Sequence, residues 1–179
     1  MKLASKILIL TGIGLLIFGS YLIFQRYNPQ RLGFNNIPPM AFVPQAGIFP
    51  KEVTIKNLGV RLPVYPARIK DNKWEATTKG VSYLVTSPVP GESGNSIIYG
   101  HNWSNLLGKL PKIKPGEKIE VLLDNNKKRT FIVEYTSVVG PDQTNILNAT
   151  NDKRLTLYTC AGFLDTKRFV AVAVLNDSD

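Results

Sequence analysis

Apolar residues run almost unbroken from Ile7 to Phe24, relieved only by Thr11, Ser20, Tyr21 and glycines. About 18 residues at roughly 1.5 Å each span about 27 Å, close to the ~30 Å hydrocarbon core of a bilayer. Lys2, Lys6 and the terminal amine precede the run and favour an inside amino terminus, although Arg26 and Arg31 on the far side weaken that bias. A cleaved signal peptide has a shorter core, roughly 7–15 residues, ending at a small-x-small site. Here the run is longer and leads into Tyr21-Leu22-Ile23-Phe24. The expectation is an uncleaved signal anchor over residues 7–24, with 1–6 cytoplasmic and the rest of the chain outside.

From residue 25 to 50 the pattern dissolves, with Pro29, Pro38, Pro39, Pro44 and Pro50 set among Asn, Gln and Gly. Proline removes backbone donors that helices and central strands require, so this stretch reads as an extended stalk between membrane and domain, free to pack in part on the domain surface. Beyond it, over 51–179, short β-type runs alternate with turn residues. Expected strands are Val53 to Lys56, Val60 to Tyr65, Val81 to Val85, Ser96 to Gly100, Lys118 to Leu123, Arg129 to Val139, Arg154 to Cys160 and Arg168 to Leu175. Pro88 to Gly94, Pro115-Gly116 and Asp124-Asn125-Asn126 supply turn chemistry between them. With one short helix expected around Ser104 to Leu110, the fold class is mostly β, a small barrel or sandwich of about eight strands.

Composition narrows the chemistry. Lys and Arg number 22 against 13 Asp and Glu, a formal charge of +9 that suits an anionic membrane surface or an acidic polymer. No interleaving of aromatic and basic residues singles out nucleic acid, which is not expected as a partner. One cysteine and one histidine in 179 residues exclude an internal disulfide and leave too few soft ligands for zinc, so neither a metal nor a cofactor is expected. Glu52, Glu92 and Asp142 are the acidic residues left to consider for calcium, and they form no cluster in the sequence.

Any thiol–imidazole chemistry therefore has one possible pair, Cys160 and His101. Cys160 ends the apolar run Leu155 to Cys160, and alternation puts Thr156, Tyr158 and Cys160 on one face and Leu155, Leu157 and Thr159 on the other. By default such a cysteine is a small buried hydrophobe and such a histidine is structural. Against that default, a free thiol kept outside the cytoplasm risks oxidation unless it is used. Both residues end strands beside a glycine, which lets both project from one rim. Arg168 opens the strand that follows Cys160, where a guanidinium can serve a developing oxyanion or simply be a solvated edge residue.

Thr156-Leu157-Tyr158-Thr159-Cys160, followed at Arg168 by an arginine, resembles the T-L-x-T-C signature of the sortases, membrane-anchored cysteine transpeptidases of mainly Gram-positive bacteria. Pro90 to His101 is similar to that family's glycine-rich approach to its histidine, and Leu107, Leu110, Ile113 and Pro115 to Val121 to its leucine-spaced segment and following strand. The resemblance covers about residues 51 to 175 and is nearer to sortases outside the best-studied housekeeping class. It implies a sortase-type closed β-barrel with one or two short helices, preceded by a single transmembrane helix. It also implies cleavage of a Leu-Pro-x-Thr-Gly-like sorting signal on surface proteins through a thioacyl enzyme, and transfer to an amine of a peptidoglycan precursor or a pilin lysine. Cys160 becomes the nucleophile, His101 the general acid and base, and Arg168 the holder of substrate and oxyanion. Thr159 is expected to line the site, and Ile146 and Leu147, in the loop from Gly140 to Arg154, to meet an apolar substrate residue. The rival readings are another wall-acting cysteine peptidase or transpeptidase, which would need its histidine just before or well after the cysteine, and a non-catalytic membrane-tethered β-module.

Overall fold

The computed structural model describes residues 2–35, 47–71 and 73–176. Helix α1, Lys2–Tyr27, contains the apolar run and exceeds the expected span at both ends, since nothing in Lys2 to Lys6 or Gln25 to Tyr27 breaks a helix. Asn28-Pro29 stops it, because a residue before proline is pushed out of helical geometry. Within α1 the stretch Leu3–Gln25 has a mean hydropathy of 2.4 and none of it is buried against the rest of the chain. A helix apolar all round and left bare suits a hydrocarbon surrounding.

Among the described residues beyond α1 there are ten strands: β1 (Pro50–Ile55), β2 (Val60–Ala67), β3 (Ile69–Lys70), β4 (Lys73–Trp74), β5 (Val81–Leu84), β6 (Gly94–Gly100), β7 (Lys118–Leu123), β8 (Lys128–Val139), β9 (Lys153–Ala161) and β10 (Lys167–Leu175). Eight of them close into a barrel in the order β1-β2-β5-β6-β9-β10-β8-β7, and these correspond to the eight runs expected from alternation. Closure leaves no unpaired edge. Most neighbours are antiparallel, but β2 pairs with β5 and β6 with β9 in parallel. The β3–β4 ribbon lies outside the barrel, and its two-residue strands are too short for a period of two to register in the sequence.

Strands β6, β9 and β10 divide their side chains between two apolar layers. Ile98, Leu155, Leu157, Phe169, Ala171 and Ala173 fill the barrel. Ile97, Tyr99, Tyr158, Cys160, Val170 and Val172 point outward and are covered by Leu32, Phe34, Trp74 and Leu147. This second layer is where the candidate chemistry sits. Tyr99 and Tyr158 stack at 5.3 Å there, and Trp74 meets Tyr99 edge-on at 5.2 Å.

Two local expectations shift. The short helix expected over 104–110 is a 3-10 turn at Leu107–Lys112, because Pro111 lacks the donor an α-helix would use. Gly108 belongs to the same turn and sits against the Asn102 and Trp103 carbonyls, where a Cβ has no room. Of the stalk, residues 36–46, with Pro38, Pro39 and Pro44, lie outside the described residues. Its first part packs on the domain: a 3-10 turn, Pro29–Leu32, capped by the Asn28 side chain, leads the backbone to Phe34 directly onto the barrel. Leu32 is fully buried and Phe34 nearly so.

Candidate active site

Register brings the three candidates together. Arg168 of β10 pairs directly with Cys160 of β9, and residues directly opposite in an antiparallel pair share a face. On the other side of β9, Gly100 of β6 pairs with Thr159, so His101, the next residue, reaches the level of Cys160. Neighbouring strands lie about 4.8 Å apart. His101, Cys160 and Arg168 thus stand in a row across β6, β9 and β10, at the strand ends. All three are buried, at 4%, 3% and 4% exposure.

The backbone after α1 covers Cys160 and Arg168. The Cys160 thiol donates to the Arg31 carbonyl at 3.1 Å, and Arg168 Nη2 donates to the Gly33 carbonyl at 2.8 Å. The Phe34 ring lies 5.9 Å beneath the guanidinium, within cation–π range. Trp103 stacks on His101 at 4.5 Å and is met edge-on by Tyr27, the last residue of α1, at 5.0 Å. The segment that follows α1 roofs Cys160 and Arg168.

The turn from β9 to β10 supplies the remaining support. Leu164 and Asp165 hold left-handed backbone at φ 52° and 59°, a conformation costing a non-glycine residue roughly 1–3 kcal/mol unless its surroundings fix it. Asp165 is fixed on three sides. Its carbonyl accepts from Arg168 Nη1 at 2.9 Å, and its carboxylate accepts from Asn102 at 2.7 Å and pairs with Arg31 at 3.3 Å. Arg31 also donates to the Leu164 carbonyl. Arg168 Nε has no hydrogen-bond partner among the described residues, which leaves one donor of a permanent cation unspent.

Burial sets the protonation states. It pushes the Cys160 thiol up to about 12, and Asp165 adds to the rise, while Arg168 and Arg31 oppose it. Burial holds His101 below its ordinary 6.5, with Asp165 pulling the other way. Near neutral pH the roofed site therefore holds a neutral thiol and a neutral imidazole. Because His101 is the only histidine, an NMR titration of its ring protons gives a single curve whose midpoint is expected below 6.5. A midpoint at or above that value would contradict the buried geometry.

The three candidate substrate residues occupy different places. Thr159 is fully buried and its hydroxyl donates to the Gly100 carbonyl at 2.7 Å, joining β9 to the strand that carries His101. Leu147 lies in the outer layer with Tyr158 and Cys160, and half-buried Ile146 packs against it. Asn95 holds their loop, donating to the Ile146 carbonyl at 2.9 Å while accepting from Thr156 at 2.7 Å. Glu52 pairs with Arg61 at 2.8 Å and Asp142 accepts from Asn35, so neither joins a shared acidic site. No group of three His, Cys, Asp or Glu side chains suited to a metal occurs among the described residues. Sequence reasoning missed Arg31, Gly33, Phe34, Asn102, Trp103 and Asp165. The one available signal was Leu32 and Phe34, apolar at alternate positions inside a stretch read as a stalk.

The family model of the sortase domain matches residues 53–176, more than half of the chain. The chain belongs to the sortase family. Sortase A of Bacillus anthracis is 29% identical over 146 residues, covering 77% of this chain and 67% of that protein. Sortase A of Listeria monocytogenes is 33% identical over 104 residues, covering 56% of this chain and 46% of its own length. This sortase thus spans about two thirds of the first relative and under half of the second. Among solved structures, sortase C1 of Streptococcus agalactiae superposes with a TM-score of 0.62 at 25% identity, over 72% of this chain and 68% of that one. Listeria monocytogenes sortase A gives 0.58 at 25% identity, over 74% and 89%. Sortases are transpeptidases, and that general role is what membership carries.

Proposed function

We propose that this sortase is anchored by α1 and uses Cys160, His101 and Arg168 to cleave a Leu-Pro-x-Thr-Gly-like sorting signal and pass the acyl fragment to an amine. The Cys160 sulfur attacks the Thr–Gly carbonyl carbon as its proton passes to His101, and the carbonyl oxygen takes the negative charge. Arg168 faces that oxygen with a guanidinium whose Nε is unspent. Collapse of the adduct breaks the C–N bond, His101 returns the proton to the departing glycine amine, and a thioester remains on Cys160. An amine of a peptidoglycan precursor or a pilin lysine then attacks the thioester, loses its proton to His101 and releases the thiolate.

The observation that supports this reading is the register that sets Cys160 directly opposite Arg168 on β9 and β10 and brings His101, the residue after β6, to the level of Cys160. The roof adds to it. The Arg31 and Gly33 carbonyls already lie on the thiol and the guanidinium, so this face accepts extended peptide backbone, and a substrate has to replace that segment to reach the sulfur. Ile146 and Leu147 flank the same layer as the apolar contact for the signal.

Incubating the full chain with a panel of sorting-signal peptides, without an amine acceptor, tests the reading by intact mass. The expected product is chain plus the acyl fragment, lacking the leaving group, with the adduct mapped to Cys160. Absence of any adduct across the panel, while a small alkylating agent still modifies Cys160, would contradict it.

A further inference from the structure

Outside α1, the three most exposed large apolar side chains among the described residues are Phe163 at 85%, Val138 at 54% and Leu164 at 51%. All three lie at one end of the barrel. Phe163 and Leu164 form the tip of the β9–β10 turn, and Val138 pairs with Phe169 at the end of β8, one residue from the level of Cys160 and Arg168. The opposite end carries the β7–β8 turn, Asp124-Asn125-Asn126-Lys127-Lys128, which is polar throughout and exposed.

The apolar end is also where α1 arrives. The membrane-compatible stretch stops at Gln25, and Tyr27, about 3 Å further along the helix axis, touches Trp103. One short turn later Arg31 bonds the Leu164 carbonyl and pairs with Asp165. The exposed tip is therefore tied to the point where the chain would leave the bilayer. Tyr27 and Trp103 at this level are the residue types that favour the membrane–water boundary, and exposed Lys167 flanks the tip with positive charge suited to anionic headgroups.

We propose that the tip Phe163–Leu164, with Val138 beside it, docks into the surface of the anionic bilayer that holds α1, so that the row of His101, Cys160 and Arg168 works against the membrane face. This rests on the anchor reading of α1. Phenylalanine and leucine at the boundary bury their apolar area among acyl chains at little cost, since nothing polar on those side chains has to be desolvated. The docking adds a second contact to the anchor and fixes which way the barrel faces. A substrate held in the same bilayer then meets the site without the barrel having to turn.

Because Cys160 is the only cysteine, a Cys160→Ala chain accepts a single nitroxide label wherever a new cysteine is placed. Three full chains carry this change with Phe163→Cys, Asn125→Cys or Ile13→Cys, each reconstituted in phosphatidylglycerol–phosphatidylethanolamine vesicles. Collisions of the label with oxygen, which concentrates in lipid, are compared with those of a water-soluble nickel chelate. The expected result is an oxygen-to-nickel ratio at Phe163 several-fold above that at Asn125 and below that at Ile13. A lipid reading at Ile13 with a water reading at Phe163 overturns the docking and leaves the anchor intact. A water reading at Ile13 removes the anchor itself, and the docking with it. A Phe163 label shielded from both reagents points to a second copy of the chain on the tip and likewise overturns the proposal.

Discussion

Replacing Cys160 with alanine is expected to abolish cleavage of a fluorogenic sorting-signal peptide, a loss of roughly a thousandfold or more, because the proposed attacking atom is gone and no other thiol exists in the chain. The fold is expected to survive. Cys160 lies in the outer layer, not inside the barrel, and losing one sulfur from a small buried side chain costs on the order of 1 kcal/mol. The thermal transition, read by calorimetry, then moves by only a few degrees. Cys160→Ser sharpens the comparison, since its hydroxyl keeps a donor toward the Arg31 carbonyl and so preserves the roof. The serine chain is expected to match the parent in stability and the alanine chain in activity. Cleavage at the parental rate in both variants would falsify the assignment of the nucleophile and favour the non-catalytic β-module.

Gly33→Ala opens the site. Gly33 has extended backbone, φ −68° and ψ 158°, so it is required for space and not for conformational freedom. A Cβ there runs into the indole of Trp74. Trp74 has nowhere to go: it is 2% exposed, donates to the Phe34 carbonyl at 3.3 Å and is wedged against Tyr99 and Tyr158. The segment must lift instead, taking the Arg31 and Gly33 carbonyls off the thiol and the guanidinium. In the roofed site the thiol stands at about 12 against an ordinary 9.0. Restoring the ordinary value multiplies the thiolate near neutral pH by about a thousandfold, and partial opening by about a hundredfold. Alkylation of Cys160 by iodoacetamide, followed by intact mass at fixed pH, should accelerate within that range. An unchanged rate in a folded Gly33→Ala chain would mean that the segment does not limit access.

The barrel was legible because its eight strands obey one rule: each buries one face inside, and turn residues mark where each stops. Cys160 and His101 were singled out by scarcity as much as by motif, since there is one of each. The roof was not legible. Proline content marked residues 25–50 as extended, and composition says nothing about whether an extended segment is free or seated. Its seating rests on backbone carbonyls, Arg31 to the thiol and Gly33 to Arg168, and a carbonyl is common to every residue type. The same holds for Asp165, whose carbonyl positions Arg168 and whose left-handed backbone brings its carboxylate to Asn102. Sequence periodicity carries no record of contacts between a loop and a turn 63 residues apart. Thr159 shows the converse. Its identity and position in the strand were read correctly, but the hydroxyl meets the Gly100 carbonyl inside the structure, a partner that only the parallel register of β6 and β9 reveals.

The roof also fixes an order of assembly. Its contacts join residues 129 and 135 positions apart, Arg31 with Cys160 and Gly33 with Arg168, so residues made just after α1 must wait for those made near the end of the barrel. During synthesis α1 and the segment after it emerge while β9 and β10 are still unmade, and neither partner carbonyl has anything to meet. Such long-range closure is the slowest class of contact to form. The barrel is complete only when β10 joins β8 to β9, and the segment can be seated only then. The first piece of the domain to leave the ribosome is the last to reach its place.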